Sequence, residues 1–386
     1  MRRPARFFNE PRLRARMDEK QIDLIILRTV ENSIYASEFF NNGGELGYRP
    51  FTVFYFRDPG TPPAFVVPAV DLHLARESTW IDDVRAYAMA EFVTDVGRDF
   101  YRDFFEAASA ILAERKVSNM VVGTEGDNLT AGFRRRLDAL LGGNTLVEIS
   151  HDMDHVRMVK TPEEIRRLRQ ACDITIRAHE SFRSAIQPGQ TDTDLHKAAL
   201  GRMVAEGADG IHFINIGCGP ATAYAAHAPF PTGHVIQTGD FVKVDMGARY
   251  LGYVSDFVRS YFVGQASAQH ETIWRHLNDV QMELGEWIRP GVTGGEIFDR
   301  GHTAISRHVS DFPREFIGHG IGLSSHEEPR MNRPNRTVVE PDTVVCVEFS
   351  YYHEGVRLHT EDMFHIGAAS TVNWTKGCPR DLVVPV

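Results

Sequence analysis

Over the first 150 or so residues, short apolar runs alternate with helix-forming stretches. Residues 22–27, 51–56, 64–67 and 120–122 are dense in Ile, Val, Phe and Leu and predict strands. Residues 101–116, rich in Ala, Leu and Glu, predict a helix between two of them. Such alternation predicts an α/β domain. A break falls at residues 151–162. Thr161-Pro162-Glu163-Glu164 then carries the signature of a helix start: a capping hydroxyl, a proline in the first turn and an acid three residues on. Ile165, Leu168, Cys172 and Ile176 follow at 3-4-4 spacing, an amphipathic helix. Beyond residue 235 the pattern turns strand-rich, with one more helix over 271–287 that Arg289-Pro290-Gly291 ends.

The length of 386 residues predicts two or three domains, and the break places a boundary between 1–155 and 156–386. A chain this long buries a core without structural staples. Its 42 basic against 52 acidic residues, a net charge of -10, argue against nucleic acid as a partner. Lysine is scarce, so a cation that reads a substrate carboxylate is expected to be an arginine fork. Cys172, Cys218, Cys346 and Cys378 are widely spaced and read as buried thiols of a reducing compartment. With no secretory signal and no apolar run of membrane-spanning length, the expectation is a cytoplasmic protein without a membrane partner.

Candidate chemistry concentrates in the second half. Asp245 and Asp256 lie eleven residues apart on two strand-like segments joined by a short turn. A turn centred on Tyr250-Leu251 would set them opposite each other, where bare carboxylates repel and a hard divalent cation would turn repulsion into a site. One aspartate pointing to solvent would serve the pair equally well. Gly318-His319-Gly320 presents a lone imidazole between glycines. Glu348 interrupts an apolar strand, where a charge needs a partner or a metal. On the next segment, alternation puts Arg357, His359 and Glu361 on one face.

The order Asp245, Asp256, His319, Glu348, Glu361 resembles the five-ligand dinuclear site of the methionine aminopeptidase, Xaa-Pro aminopeptidase and prolidase superfamily (M24). Residues 159–165 resemble the entry to its catalytic domain, and 318–329 are close to its prolidase-type motif. The resemblance implies a creatinase-like amino-terminal α/β domain followed by a pita-bread catalytic domain. Asp245 would chelate one ion, His319 and Glu348 the other, with Asp256 and Glu361 bridging. The implied cofactor is two divalent ions, manganese first and iron, cobalt or zinc as alternatives. His227 and His326 match substrate-contacting and oxyanion-stabilising histidines, and Glu348 also a proton acceptor. The implied reaction is hydrolysis of an amide-type C–N bond in a dipeptide or other small carboxylated substrate, by a homodimer.

One departure bears on substrate. The prolidase pattern runs Gly-Ile-Arg-Ile-Glu-Asp, whereas this chain reads Gly355-Val356-Arg357-Leu358-His359-Thr360-Glu361-Asp362. Two added residues keep strand parity but move Arg357 about 6–7 Å along the strand, leaving His359 in the nearer slot. A substrate contact of that arginine would pass to His359. Arg49, in Gly47-Tyr48-Arg49-Pro50-Phe51, resembles a creatinase arginine that reads a substrate carboxylate across the dimer, though a surface arginine at a strand start fits the pattern as well. Creatinase- and ectoine-hydrolase-like cleavage of non-peptide C–N bonds, dimethylsulfoniopropionate-type elimination, and a non-catalytic binding module on the same fold are the alternatives.

Overall fold

The computed structural model describes residues 6–41, 47–89, 100–225, 230–309 and 311–386. The chain forms two compact units, Met1–Arg157 and Met158–Val386.

In the first unit the elements run α1 (Glu10–Lys20), β1 (Leu24–Leu27), α2 (Val30–Ser37), β2 (Thr52–Phe56), β3 (Ala64–Pro68), α3 (Leu72–Ser78), β4 (Asp83–Tyr87), α4 (Phe104–Glu114), β5 (Val121–Thr124), α5 (Ala131–Leu140), β6 (Thr145–Glu148) and α6 (Ser150–Met158). Six strands pair in the order β4-β3-β2-β1-β5-β6. The four anticipated strands are β1, β2, β3 and β5, and the anticipated helix is α4. β1 and β2 are buried at every position, as a sheet covered on both faces requires. Leu24, Ile26, Phe54 and Val66 meet Phe104, Ile111 and Leu137 of the covering helices.

The second unit holds α7 (Pro162–Ala185), α8 (Asp192–Ala205), β7 (Gly210–Cys218), β8 (Phe241–Tyr250), β9 (Tyr253–Val254), β10 (Phe257–Val263), α9 (Ala268–Trp287), α10 (Gly294–Ile305), β11 (Gly318–Gly320), β12 (Thr343–His353), β13 (Val356–Ile366), β14 (Thr371–Asn373) and β15 (Val383–Val384). α7 starts as the sequence predicts: Thr161 Oγ1 accepts from Glu164 N, and the Glu164 carboxylate accepts from Thr161 N at 2.8 Å. Arg289-Pro290-Gly291 does end α9, but a second helix, α10, follows it, opened by a capping box of Thr293 and Glu296.

Two sheets result, ordered β15-β10-β8-β7 (with β9 on β8) and β11-β12-β13-β14. Each is backed by its own helix pair. Ile174, Phe182, Leu195 and Met203 of α7 and α8 bury against Val242, Val244 and Met246 of β8. Leu277, Leu284, Ile297 and Ile305 of α9 and α10 bury against Val345, Val347, Phe349 and Phe364 of the second sheet. β10 and β13 meet between the sheets: Arg259 Nη1 donates to Glu361 O and Ser260 Oγ donates to His359 O, each at 2.8 Å. Among the described residues, no helix is long and apolar enough to cross a membrane.

Candidate metal centre

The five-residue cluster lies wholly within the second unit. β8 turns into β9 over Leu251 and Gly252, with φ of 47° and 84°. Two positive φ values in a two-residue hairpin favour glycine at the second position, and Gly252 fills it. The turn is therefore centred one residue later than expected. Tyr250 pairs with Tyr253, and Asp245 faces Val258 rather than Asp256. Asp256 sits in the break between β9 and β10, two residues away on the diagonal. The two aspartates and Glu361 of β13 nonetheless bring one carboxylate oxygen each within 4.8 Å of one another.

His319 is the middle residue of β11, opposite Cys346. The glycines beside it are obligatory: a methyl on Gly318 would overlap the Cys346 carbonyl oxygen, and one on Gly320 the Glu328 carbonyl oxygen. His319 Nδ1 donates to Gly320 O at 3.0 Å, since a carbonyl only accepts. This directs Nε2 at the acids, 3.4 Å from Glu361 Oε1 and 3.9 Å from Asp256 Oδ2. A backbone-anchored ring of this kind is the usual support of a ligating histidine.

Glu348 and Glu361 are direct cross-strand partners in the β12–β13 ladder. Glu348 Oε2 accepts from Arg314 Nη1 at 2.6 Å and lies 3.0 Å from His359 Nε2. Burial opposes its charge, but Arg314 and then His359 hold its pKa well below the usual carboxylate range. Asp245 and Asp256 shift the opposite way, well above that range, through burial first and then the charge of Glu361. For His319, burial works against protonation, but the neighbouring Glu361 carboxylate dominates and the pKa rises. Four carboxylates this close, three of them buried and Asp245 partly so, cannot all ionise together without cations. Asp256 Oδ1 and Glu361 Oε1 are buried and accept no hydrogen bond from the described residues. Two donors each about 2.1 Å from one ion stand about 3.4 Å apart at a tetrahedral angle, the spacing of His319 Nε2 and Glu361 Oε1. The residues fit a divalent metal.

The other anticipated site residues fall variously. His326 stacks on His319, centroids 3.9 Å apart, and its pKa is pushed down to about 4 by desolvation and then by His319. Arg357 is partly exposed at Tyr352, its Nε buried without a hydrogen bond from the described residues. His359 is buried and turned to Glu348 rather than to open space. Arg49 belongs to the first unit, where Nη2 donates to Asn41 Oδ1 at 2.9 Å and Nη1 lies 3.5 Å from Asp71. His227 lies outside the described residues.

Three residues went unread in the sequence. Arg314 grips Glu348 from a loop that carries no local pattern. Arg259, fully buried behind Glu361, was visible as a lone cation in the apolar run 257–263, and Asp362 beside Glu361 is its partner at 2.9 Å. Lys243 is buried on the Asp245 face of β8, donating to Tyr224 O at 2.9 Å, and its pKa falls to about 8 through burial and then the charge of Arg357.

Carboxylates and an imidazole converge between two helix-backed sheets, and the family match makes the protein a metal-dependent hydrolase. The chain belongs to metallopeptidase family M24, whose profile matches residues 166–368, and the creatinase/prolidase N-terminal domain matches residues 11–159. It is 25% identical over 363 residues to the putative dipeptidase YkvY of Bacillus subtilis, covering 93% of this chain and 94% of that one. It is 24% identical over 339 residues to the Xaa-Pro dipeptidase of Pyrococcus horikoshii, covering 87% of each. The solved structure of an Xaa-Pro dipeptidase from Bacillus anthracis superposes with a TM-score of 0.81 at 25% identity, over 97% of this chain and 98% of that one. The architecture is thus a creatinase-type amino-terminal domain followed by a pita-bread catalytic domain.

Proposed function

We propose that the protein is a dinuclear metallopeptidase of the Xaa-Pro dipeptidase type, hydrolysing the amide bond of a small carboxylated substrate. The observation that carries this reading is the convergence of the Asp245, Asp256 and Glu361 carboxylates, joined by His319 through Glu361. Similarity to Xaa-Pro dipeptidases over most of the chain supports the substrate class.

Asp245 would hold one ion, His319 and Glu348 the other, with Asp256 and Glu361 between them. Bound there, the ions supply Lewis-acid polarisation of the scissile carbonyl and an activated water; manganese is the first candidate, then iron, cobalt or zinc. Glu348, kept ionised by Arg314, would take a proton from the attacking water, a role that rests on the resemblance. His326, neutral at pH 7, serves as an N–H donor to the developing oxyanion. Arg357 offers a fork to the substrate carboxylate. His227 as a substrate contact, Arg49 acting in trans across a homodimer, and a cytoplasmic location are parts of the same proposal that rest on the resemblance. His227→Gln and Arg49→Ala, each raising KM for the true substrate, would support the first two.

His359 in the slot nearest Glu361 favours one second reading, a non-peptide C–N substrate. Turnover of Xaa-Pro dipeptides by chelator-stripped protein reloaded with Mn, Fe, Co or Zn separates the two. Metal-dependent proline release establishes the dipeptidase. Silence from protein that binds metal defeats it and leaves the non-peptide reading.

A further inference from the structure

His359 stands two residues before Glu361 on β13 and so shares its face. It lies opposite Ser350 in the ladder, one pair removed from Glu348–Glu361 on that face. Its ring is buried, and Nε2 is 3.0 Å from Glu348 Oε2. Glu348, His359 and Glu361 each offer a donor atom, all within 4.8 Å of one another.

Spacing decides what such a group can do. Two donors each about 2.1 Å from one ion lie about 3.0 Å apart at a right angle. That is the His359–Glu348 separation, as 3.4 Å between His319 and Glu361 is the tetrahedral one. Glu348 already has a charged donor in Arg314, so a second is not required to keep it ionised. The β13 backbone is also pinned here, by Ser260 Oγ on His359 O and Arg259 on Glu361 O. A side chain on an anchored strand is held in the narrow range that ligation demands.

We propose that His359 is a further metal ligand, coordinating through Nε2 an ion held with Glu348 and Glu361. The assignment rests on the metal-centre reading above and adds a residue to its five. It has a consequence for metal choice. One imidazole among carboxylates suits manganese, whereas two raise the affinity for cobalt or zinc relative to manganese. It also takes His359 out of substrate reading, which leaves Arg357, two residues further along the same face, to meet the substrate anion.

Two measurements test this without turnover. In crystals of the wild-type protein loaded with zinc, an anomalous-difference peak within about 2.3 Å of His359 Nε2 is expected. Zinc peaks that all lie more than about 3 Å away would reduce His359 to a hydrogen-bond partner of Glu348 and overturn the proposal. In competition titrations, H359Q should lose zinc-over-manganese preference by at least about ten-fold, and an unchanged ratio would overturn it too. The wild-type crystal decides the matter even if H359Q does not fold. Because neither readout involves hydrolysis, inactivity on Xaa-Pro dipeptides would defeat the dipeptidase reading while leaving the ligand count to stand or fall on its own.

Discussion

Arg259 is the residue on which the position of Glu361 most depends. Its guanidinium is fully buried and donates to Val258 O, Glu361 O, Pro379 O, Thr375 O and Asp362 Oδ1. Arg259→Met keeps the aliphatic bulk and removes every donor. Breaking a buried ion pair costs about 3–5 kcal/mol, because the surviving charge is left without compensation. Asp362 keeps Arg380 and the Thr375 hydroxyl, which places the loss near about 3 kcal/mol. For a folding unit the size of Met158–Val386, each kcal/mol moves Tm by about 2–4 °C, so a drop of about 6–12 °C is expected. Calorimetry of the metal-loaded protein, with the transition of this unit resolved from that of the first, reads it. Metal affinity should fall in the same variant, since the carbonyl of Glu361, a proposed ligand, is released. Arg259→Lys, which retains charge without the fork, should lie between. A Tm within about 2 °C of wild type, with unchanged metal affinity, would refute the view that this network holds Glu361.

Glu164, buried at the start of α7, has its pKa pushed up to about 7 by burial, with the backbone bond from Thr161 opposing. A raised acid stabilises the fold fully below its unfolded value of about 4.5 and loses that contribution as pH climbs through 7, a swing of about 3 kcal/mol. Glu164→Gln keeps a cap acceptor and should flatten the fall of Tm between pH 5 and 8; an unaltered slope would contradict the assignment. Removing metal with a chelator should lower the melting temperature of the second unit's transition and reloading should restore it, with about 4 kcal/mol at stake when free metal stands a thousand-fold above Kd. His319→Gln should abolish metal-dependent activity and weaken metal binding while leaving secondary structure by circular dichroism intact; retention of full metal content would remove His319 from the ligands.

What the sequence made legible was local. Thr161 and Glu164 announced α7 because a capping box is written within four residues. Strands β1, β2, β3 and β5 were visible as β-branched and aromatic runs bounded by polar residues. The same local signal at Thr293 and Glu296 opens α10, but it follows directly on the Pro290-Gly291 stop, whose helix-ending signal masks it. The Asp245–Asp256 register was misjudged by one turn position, because Gly252 and not Tyr250 takes the left-handed conformation. The diagonal placement that results still serves the centre, since Glu361 arrives from the other sheet. That meeting of β10 with β13 brings together residues about a hundred positions apart, and no periodicity announces it. Arg314 is illegible for the same reason: its partner Glu348, on β12, is 34 residues away with β11 between them. The departure at His359 was plain in the residue order, but its orientation toward Glu348 followed only from the ladder.

On the proposed mechanism, five residues of the second unit would hold two metal ions, and the protein would hydrolyse an Xaa-Pro amide bond. Turnover of an Xaa-Pro dipeptide against bound metal, as stripped protein is titrated with manganese, tests it most directly. Proline release should rise to a plateau at two ions per chain and vanish in Glu361→Gln. Full activity with a single ion, or activity that survives Glu361→Gln, would contradict it.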